Sequence, residues 1–177
     1  MSTHTSTRTP NRIDHLSLPE WVLDIHDHQE DAIEQALDLY ENDIPVVFLD
    51  GPTGTGKTLI AEIIRQELNV RCLYVCSDKS LQDQFAKDFP YAKVLKGRAN
   101  YPTESNPNAT AADCTAKGPK DVCFHCESGH QGCPYQVAKR EALAADLAVT
   151  NISYLLTEAN YVGGFSGIDF IIVDEAD

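Results

Sequence analysis

The sequence predicts an α/β domain on a mostly parallel sheet, interrupted by a cysteine-rich insert. Three observations carry that prediction. Short apolar, β-branched runs alternate with amphipathic helical stretches. A glycine-rich motif, Gly51 to Thr58, stands between the first such run and a helix. Four cysteines cluster in and just after a Gly- and Pro-rich stretch that has too few large apolar residues to build a core.

The elements follow in chain order. Residues 1–20 read as a disordered leader, rich in Ser and Thr to Arg12 and without the apolar stretch of a secretory signal. A cytoplasmic location is expected. Asp27 and Glu30 suit a capping box, and Ala32, Ile33, Ala36, Leu37 and Tyr40 follow at helical spacing. Ile44 to Leu49 reads as a strand buried on both faces. After the glycine-rich turn, Leu59, Ile60, Ile63, Ile64 and Leu68 mark one helix face, with Glu62, Arg65 and Glu67 opposite. Val70 to Cys76 predicts a second strand, Ser80 to Phe89 a helix, and Ala92 to Leu95 a third strand. Pro134 suits the first turn of a helix to about Ala145. Leu147 to Thr150 and Ile168 to Val173 complete the buried strands. Residues 21–96 and 134–177 thus form one lobe, with 97–133 inserted.

The 177 residues suffice for one such domain, and 42% hydrophobic with 23% charged residues is ordinary for a globular chain. No apolar run is long enough to span a bilayer. The net charge of −13 opposes the basic face usual in nucleic-acid binders. Lys93, Lys96 and Arg98 offer local positive charge.

Gly51-Pro52-Thr53-Gly54-Thr55-Gly56-Lys57-Thr58 matches the P-loop pattern. Its glycines let backbone N–H groups turn toward phosphate oxygens, and the next helix offers its positive end to the same anion. Lys57 is expected on the β- and γ-phosphates of ATP, and the Thr58 hydroxyl on Mg²⁺. Ile171 to Val173 end in Asp174 and Glu175. Asp174 is expected to hold Mg²⁺ and Glu175 to orient or deprotonate the attacking water.

Cys114, Cys123, Cys126 and Cys133 are spaced C-x8-C-x2-C-x6-C. Four thiolates suit Zn²⁺ or a [4Fe–4S] cluster, and spacing does not choose between them. His125 and His130 lie among them and would suit zinc. Cys72 and Cys76, inside an apolar strand, read as core.

With these residues in place, Ile25 to Asp177 resembles the iron–sulfur superfamily 2 DNA helicases, the XPD/DinG-like group. The resemblance rests on seven stretches in order: Gln29, the P-loop, Ser77 to Phe85, Lys96 to Tyr101, Cys133-Pro134-Tyr135, Val149-Thr150-Asn151, and Asp174-Glu175-Ala176-Asp177. It implies a RecA-like lobe, an adenine contact at Gln29, and DNA contacts from Ser77 to Phe85 and Val149 to Asn151. It also implies a [4Fe–4S] cluster on the four cysteines and 5′-to-3′ translocation on single-stranded or forked DNA. Pro102 and Thr103 follow the Asn-Tyr pair where the group often has a cysteine, so Cys114 is the expected first ligand. Asp177 replaces the group's usual His. The lobe is expected to be incomplete, cut within the Asp-Glu box, and to need a second RecA-like lobe from a longer gene product; alone it is expected not to unwind DNA. Two other readings stand beside this one: a different P-loop ATPase with a structural zinc knob, and a nucleotide- or DNA-binding module without turnover.

Overall fold

The computed structural model describes residues 13–104, 106, 108–114, 129–161, 165 and 167–174. The chain divides into two compact units, Met1–Asn69 and Val70–Asp177.

The first unit holds helices α1 (Asp27–Glu41) and α2 (Lys57–Leu68), which pack on each other. Their contact buries Ile33 and Ile63 completely. The α1 cap lies one residue earlier than Asp27 and Glu30 suggest. His26 is the N-cap, and the Gln29 side chain accepts its backbone N–H at 3.0 Å. Asp27 and Glu30 instead fall in the first turn, where their charge complements the helix dipole. Helix α2 ends on Asn69 at φ 50°, the left-handed stop that Asn tolerates.

Two expectations for this unit are corrected. Ile44 to Leu49 forms no strand, and Phe48 is 86% exposed. A strand needs neighbouring backbone to satisfy its N–H and C=O groups; among the described residues none pairs with this run. Residues 13–20, expected within a disordered leader, lie along α2. Ile13 is buried, and Ser17 exchanges two bonds with the Gln66 amide, at 2.8 and 3.2 Å. Residues 1–12 fall outside the described part.

The second unit is a four-stranded, all-parallel sheet in the order β2-β3-β1-β4. In chain order it comprises β1 (Cys72–Cys76), α3 (Lys79–Asp88), β2 (Lys93–Val94), a 3₁₀ turn (Arg98–Asn100), α4 (Gly129–Gly132), α5 (Pro134–Ala144), β3 (Leu147–Asn151), α6 (Ile152–Tyr161) and β4 (Phe170–Val173). Central strand β1 is buried throughout, Cys72 and Cys76 included, as a strand covered on both faces must be. Leu73 and Val75 point into a cluster with Leu95, Ala111, Cys133, Tyr135, Ala142, Ala148 and Tyr154. On the opposite face Tyr74 meets Phe85 of α3, their ring centroids 4.2 Å apart. Edge strand β4 departs from the buried strand expected: exposure alternates along it, with Ile171 and Val173 exposed. Ile171 and Val173, in register with Leu73 and Val75, lie on a face that the described residues leave uncovered at this strand.

Parallel strands send all their carboxyl ends to one edge, where ligand sites of open α/β sheets gather. Ser77, Leu95, Asn151 and Asp174 lie at that edge.

Candidate functional site

The P-loop begins at Gly51 and delivers its last two residues into α2. Gly54 and Gly56 take φ of 86° and 81°, a backbone region L side chains rarely adopt. At Gly56 there is also no space: a Cβ would lie 2.4 Å from Gln29 Nε2. Thr55 closes the turn, its N–H and hydroxyl both donating to Pro52 O. Lys57 opens α2 and donates to Gly51 O at 2.7 Å, so its ammonium lies over the loop. Thr58 is the next helical residue.

Gln29 packs against this loop from α1. Its Nε2 donates to Thr55 O at 3.0 Å, and its Oε1 holds the His26 N–H. The side chain is buried, with one amide hydrogen on the loop and its oxygen on the α1 cap. The arrangement makes Gln29 a support of the P-loop backbone as well as a residue beside it.

The other expected catalytic residues belong to the second unit. Asp174 follows β4 directly, and its N–H donates to Val75 O at 2.9 Å, which fixes its backbone at the carboxyl edge. Glu175 lies outside the described residues. On the same edge Asp78 caps α3, accepting from Ser80 N at 2.7 Å, Ser80 Oγ at 2.6 Å and Leu81 N at 3.1 Å. The Ser80 hydroxyl, then the backbone N–H groups, hold its carboxyl below the usual range.

The described parts of the insert are joined to the lobe core. Ala111 N donates to Tyr101 O and Thr103 N to Ala109 O, pairing Tyr101 and Thr103 with Ala109 and Ala111. Ala111 and Cys133 are both buried in the sheet's cluster. Arg98 ties the two ends together: it donates to Ala111 O at 2.9 Å and Cys114 O at 2.8 Å, and its guanidinium sits 5.8 Å from the Tyr135 ring centre. Cys114 and Tyr135, two residues past Cys133, thus share one partner. Cys123, Cys126 and His125 lie outside the described residues, and among those described no group of three metal-ligating side chains assembles. Arg98 joins the chain at Cys114 to the start of α5 through a backbone carbonyl and an aromatic ring, not through either thiol.

Sequence reasoning missed three groups. Gln82 of α3 is fully buried. Its position three residues before Phe85 was the available signal, since that spacing puts both on one helix face. Glu62 and Arg65, placed opposite the apolar face of α2, are also buried and bond each other bidentately, at 2.8 and 2.9 Å. Arg98, read as local positive charge, is committed to backbone carbonyls.

No described helix is long and apolar enough to cross a membrane. Searches of curated proteins and of solved structures return no significant match. The sequence profile described as type III restriction enzyme, res subunit, matches residues 23–176. That span takes in the P-loop, the all-parallel sheet and Asp174. The chain belongs to the family of type III restriction enzyme res subunits, and is a superfamily 2 helicase-like domain of the ATP-binding kind.

Proposed function

We propose that this chain is the ATP-binding lobe of a DNA helicase that couples ATP hydrolysis to 5′-to-3′ movement on single-stranded or forked DNA, together with a second RecA-like lobe. The observation that carries the reading is the P-loop itself: two left-handed glycines run directly into the first turn of α2, with Lys57 held over the loop. In this reading Lys57 leaves Gly51 O for the β- and γ-phosphates, and the loop's glycine-flanked backbone N–H groups from Thr53 on turn toward them. Thr58 and Asp174 hold Mg²⁺, and Glu175 prepares the attacking water. Gln29 contacts adenine with its remaining hydrogen-bonding capacity while bracing Thr55.

Cys114, Cys123, Cys126 and Cys133 are the residues that would hold a [4Fe–4S] cluster. The bound centre would supply a rigid staple for a segment with little apolar content of its own. The family match supports the helicase-like ATPase part of this reading; the resemblance of the motif series supports polarity and the cluster.

Binding of a fluorescent ATP analogue tests the nucleotide site. Lys57→Ala should abolish Mg²⁺-dependent binding and leave the circular dichroism spectrum unchanged. Equal affinity in the variant would refute the assignment.

A further inference from the structure

The root of the insert is held by a buried hydrogen-bond network with Gln82 at its centre. Leu95 is the last sheet-bonded residue before the insert, its N–H donating to Val149 O at 2.8 Å. Its carbonyl accepts twice, from Gln82 Nε2 at 3.2 Å and from Thr150 Oγ1 at 2.9 Å. Gln82 and Thr150 are both 0% exposed. Gln82 Oε1 in turn faces Asn151 Nδ2 at 3.4 Å, and Asn151 Oδ1 caps α6 by accepting the Tyr154 N–H. The neighbouring residue repeats the pattern: Lys96 pairs with Asp83 of α3, and its N–H donates to the Tyr101 hydroxyl. One amide therefore spans three pieces of the carboxyl edge: the α3 segment, the insert root and the end of β3.

We propose that Gln82 is a positioning residue that makes the insert root and the carboxyl-edge stretches Ser77–Asp78 and Asn151 move as one body, so that a single nucleic-acid strand seated on that edge sets the orientation of the insert. This rests on the nucleic-acid part of the proposed function. Its complete burial means Gln82 cannot touch the strand and acts through Leu95 and Asn151. An amide is suited to the task, since it donates to a carbonyl and accepts from an amide at once. Its loss leaves Leu95 O still bonded to Thr150, so the fold keeps a satisfied carbonyl while the buried link to α3 is cut and only the Lys96–Asp83 pair remains.

The test is Gln82→Met in the full chain, with Thr150→Val as the second variant. Thr150→Val loosens the same carbonyl from the other side and serves if Gln82→Met does not fold. A labelled oligothymidine and a fluorescent ATP analogue are titrated, and amide hydrogen exchange is followed over residues 96–101. The expected result is roughly three- to tenfold weaker oligonucleotide binding, the worth of one net hydrogen bond. Faster exchange at 96–101 should accompany it, with nucleotide affinity unchanged. Unchanged oligonucleotide binding, or loss of both affinities together, would overturn the proposal. A wild-type chain that binds no oligonucleotide would instead remove the nucleic-acid reading, and this proposal with it.

Discussion

At the residue scale, the two left-handed glycines of the P-loop do different work. Both sit at φ above 80°, so an alanine at either must enter a region costing about 1–2 kcal/mol. A Cβ at Gly54 meets nothing within 4 Å, whereas at Gly56 it drives into the Gln29 amide. That amide cannot retreat without releasing Thr55 O or the α1 cap. Gly54→Ala should therefore cost about 1–2 kcal/mol of stability and weaken nucleotide binding only through that backbone strain. Gly56→Ala should cost more and weaken nucleotide binding further, because it displaces Thr55 and the backbone N–H groups that follow. Thermal midpoints and ATP-analogue titrations of the two variants check this; equal losses would show that Gln29 does not brace the loop.

At the element scale, α2 carries an internal ion pair that its sequence pattern conceals. Glu62 sits four residues from Gln66 and three from Arg65, and all three join in one network at 2.7 to 2.9 Å. Gln66 extends it to Ser17. Breaking a buried pair strands one charge, whereas replacing both partners with apolar side chains of similar volume is often neutral or better. Glu62→Ala should destabilise the first unit by about 3–5 kcal/mol, while Glu62→Leu combined with Arg65→Met should stay near the wild type. Urea denaturation followed by the helical signal decides between them; matching losses would make the network a packing feature only. The same helix shows what was legible in advance. Leu59, Ile60, Ile63 and Ile64 declared the apolar face by spacing, and Gly51 to Thr58 the loop before it. Glu62 and Arg65 were hidden because they are buried on the face that α2's spacing marks as polar, beside a Gln66 tied to Ser17 in a segment whose composition signals no structure. Strands β1 and β3 were readable because both of their faces are apolar. Ile44 to Leu49 shares that pattern yet forms no strand, since a pattern of side chains does not supply backbone partners. Gln82 lies inside the Ser77 to Phe85 stretch, but a buried amide bridging a carbonyl and another amide has no periodic signature that would give its role.

At the scale of the whole molecule, charge and cysteine chemistry pull on the same region. With a net charge of −13, any acidic strand must be met by local positive groups or by helix amino ends. Of the basic residues near the insert root, Arg98 is spent on carbonyls and Lys96 on Asp83. The described basic residues at the insert root, Lys96 and Arg98, are thus engaged within the fold, and a thiolate centre would add to that hold. Cys114 and Cys133 differ in how they are embedded, which separates ligation from packing. Cys133 is buried in the sheet's cluster, whereas Cys114 is partly exposed and reaches Arg98 through its carbonyl. Cys114→Ser should therefore lose metal with little direct loss of core packing. Cys133→Ser should lose metal and lower the thermal midpoint further, since it also puts a hydroxyl into an apolar cluster. Metal and acid-labile sulfide per chain, measured after anaerobic purification, read the first effect. Iron with sulfide supports the cluster, one zinc supports the structural knob, and a folded wild-type chain retaining neither would end both metal readings of the four cysteines.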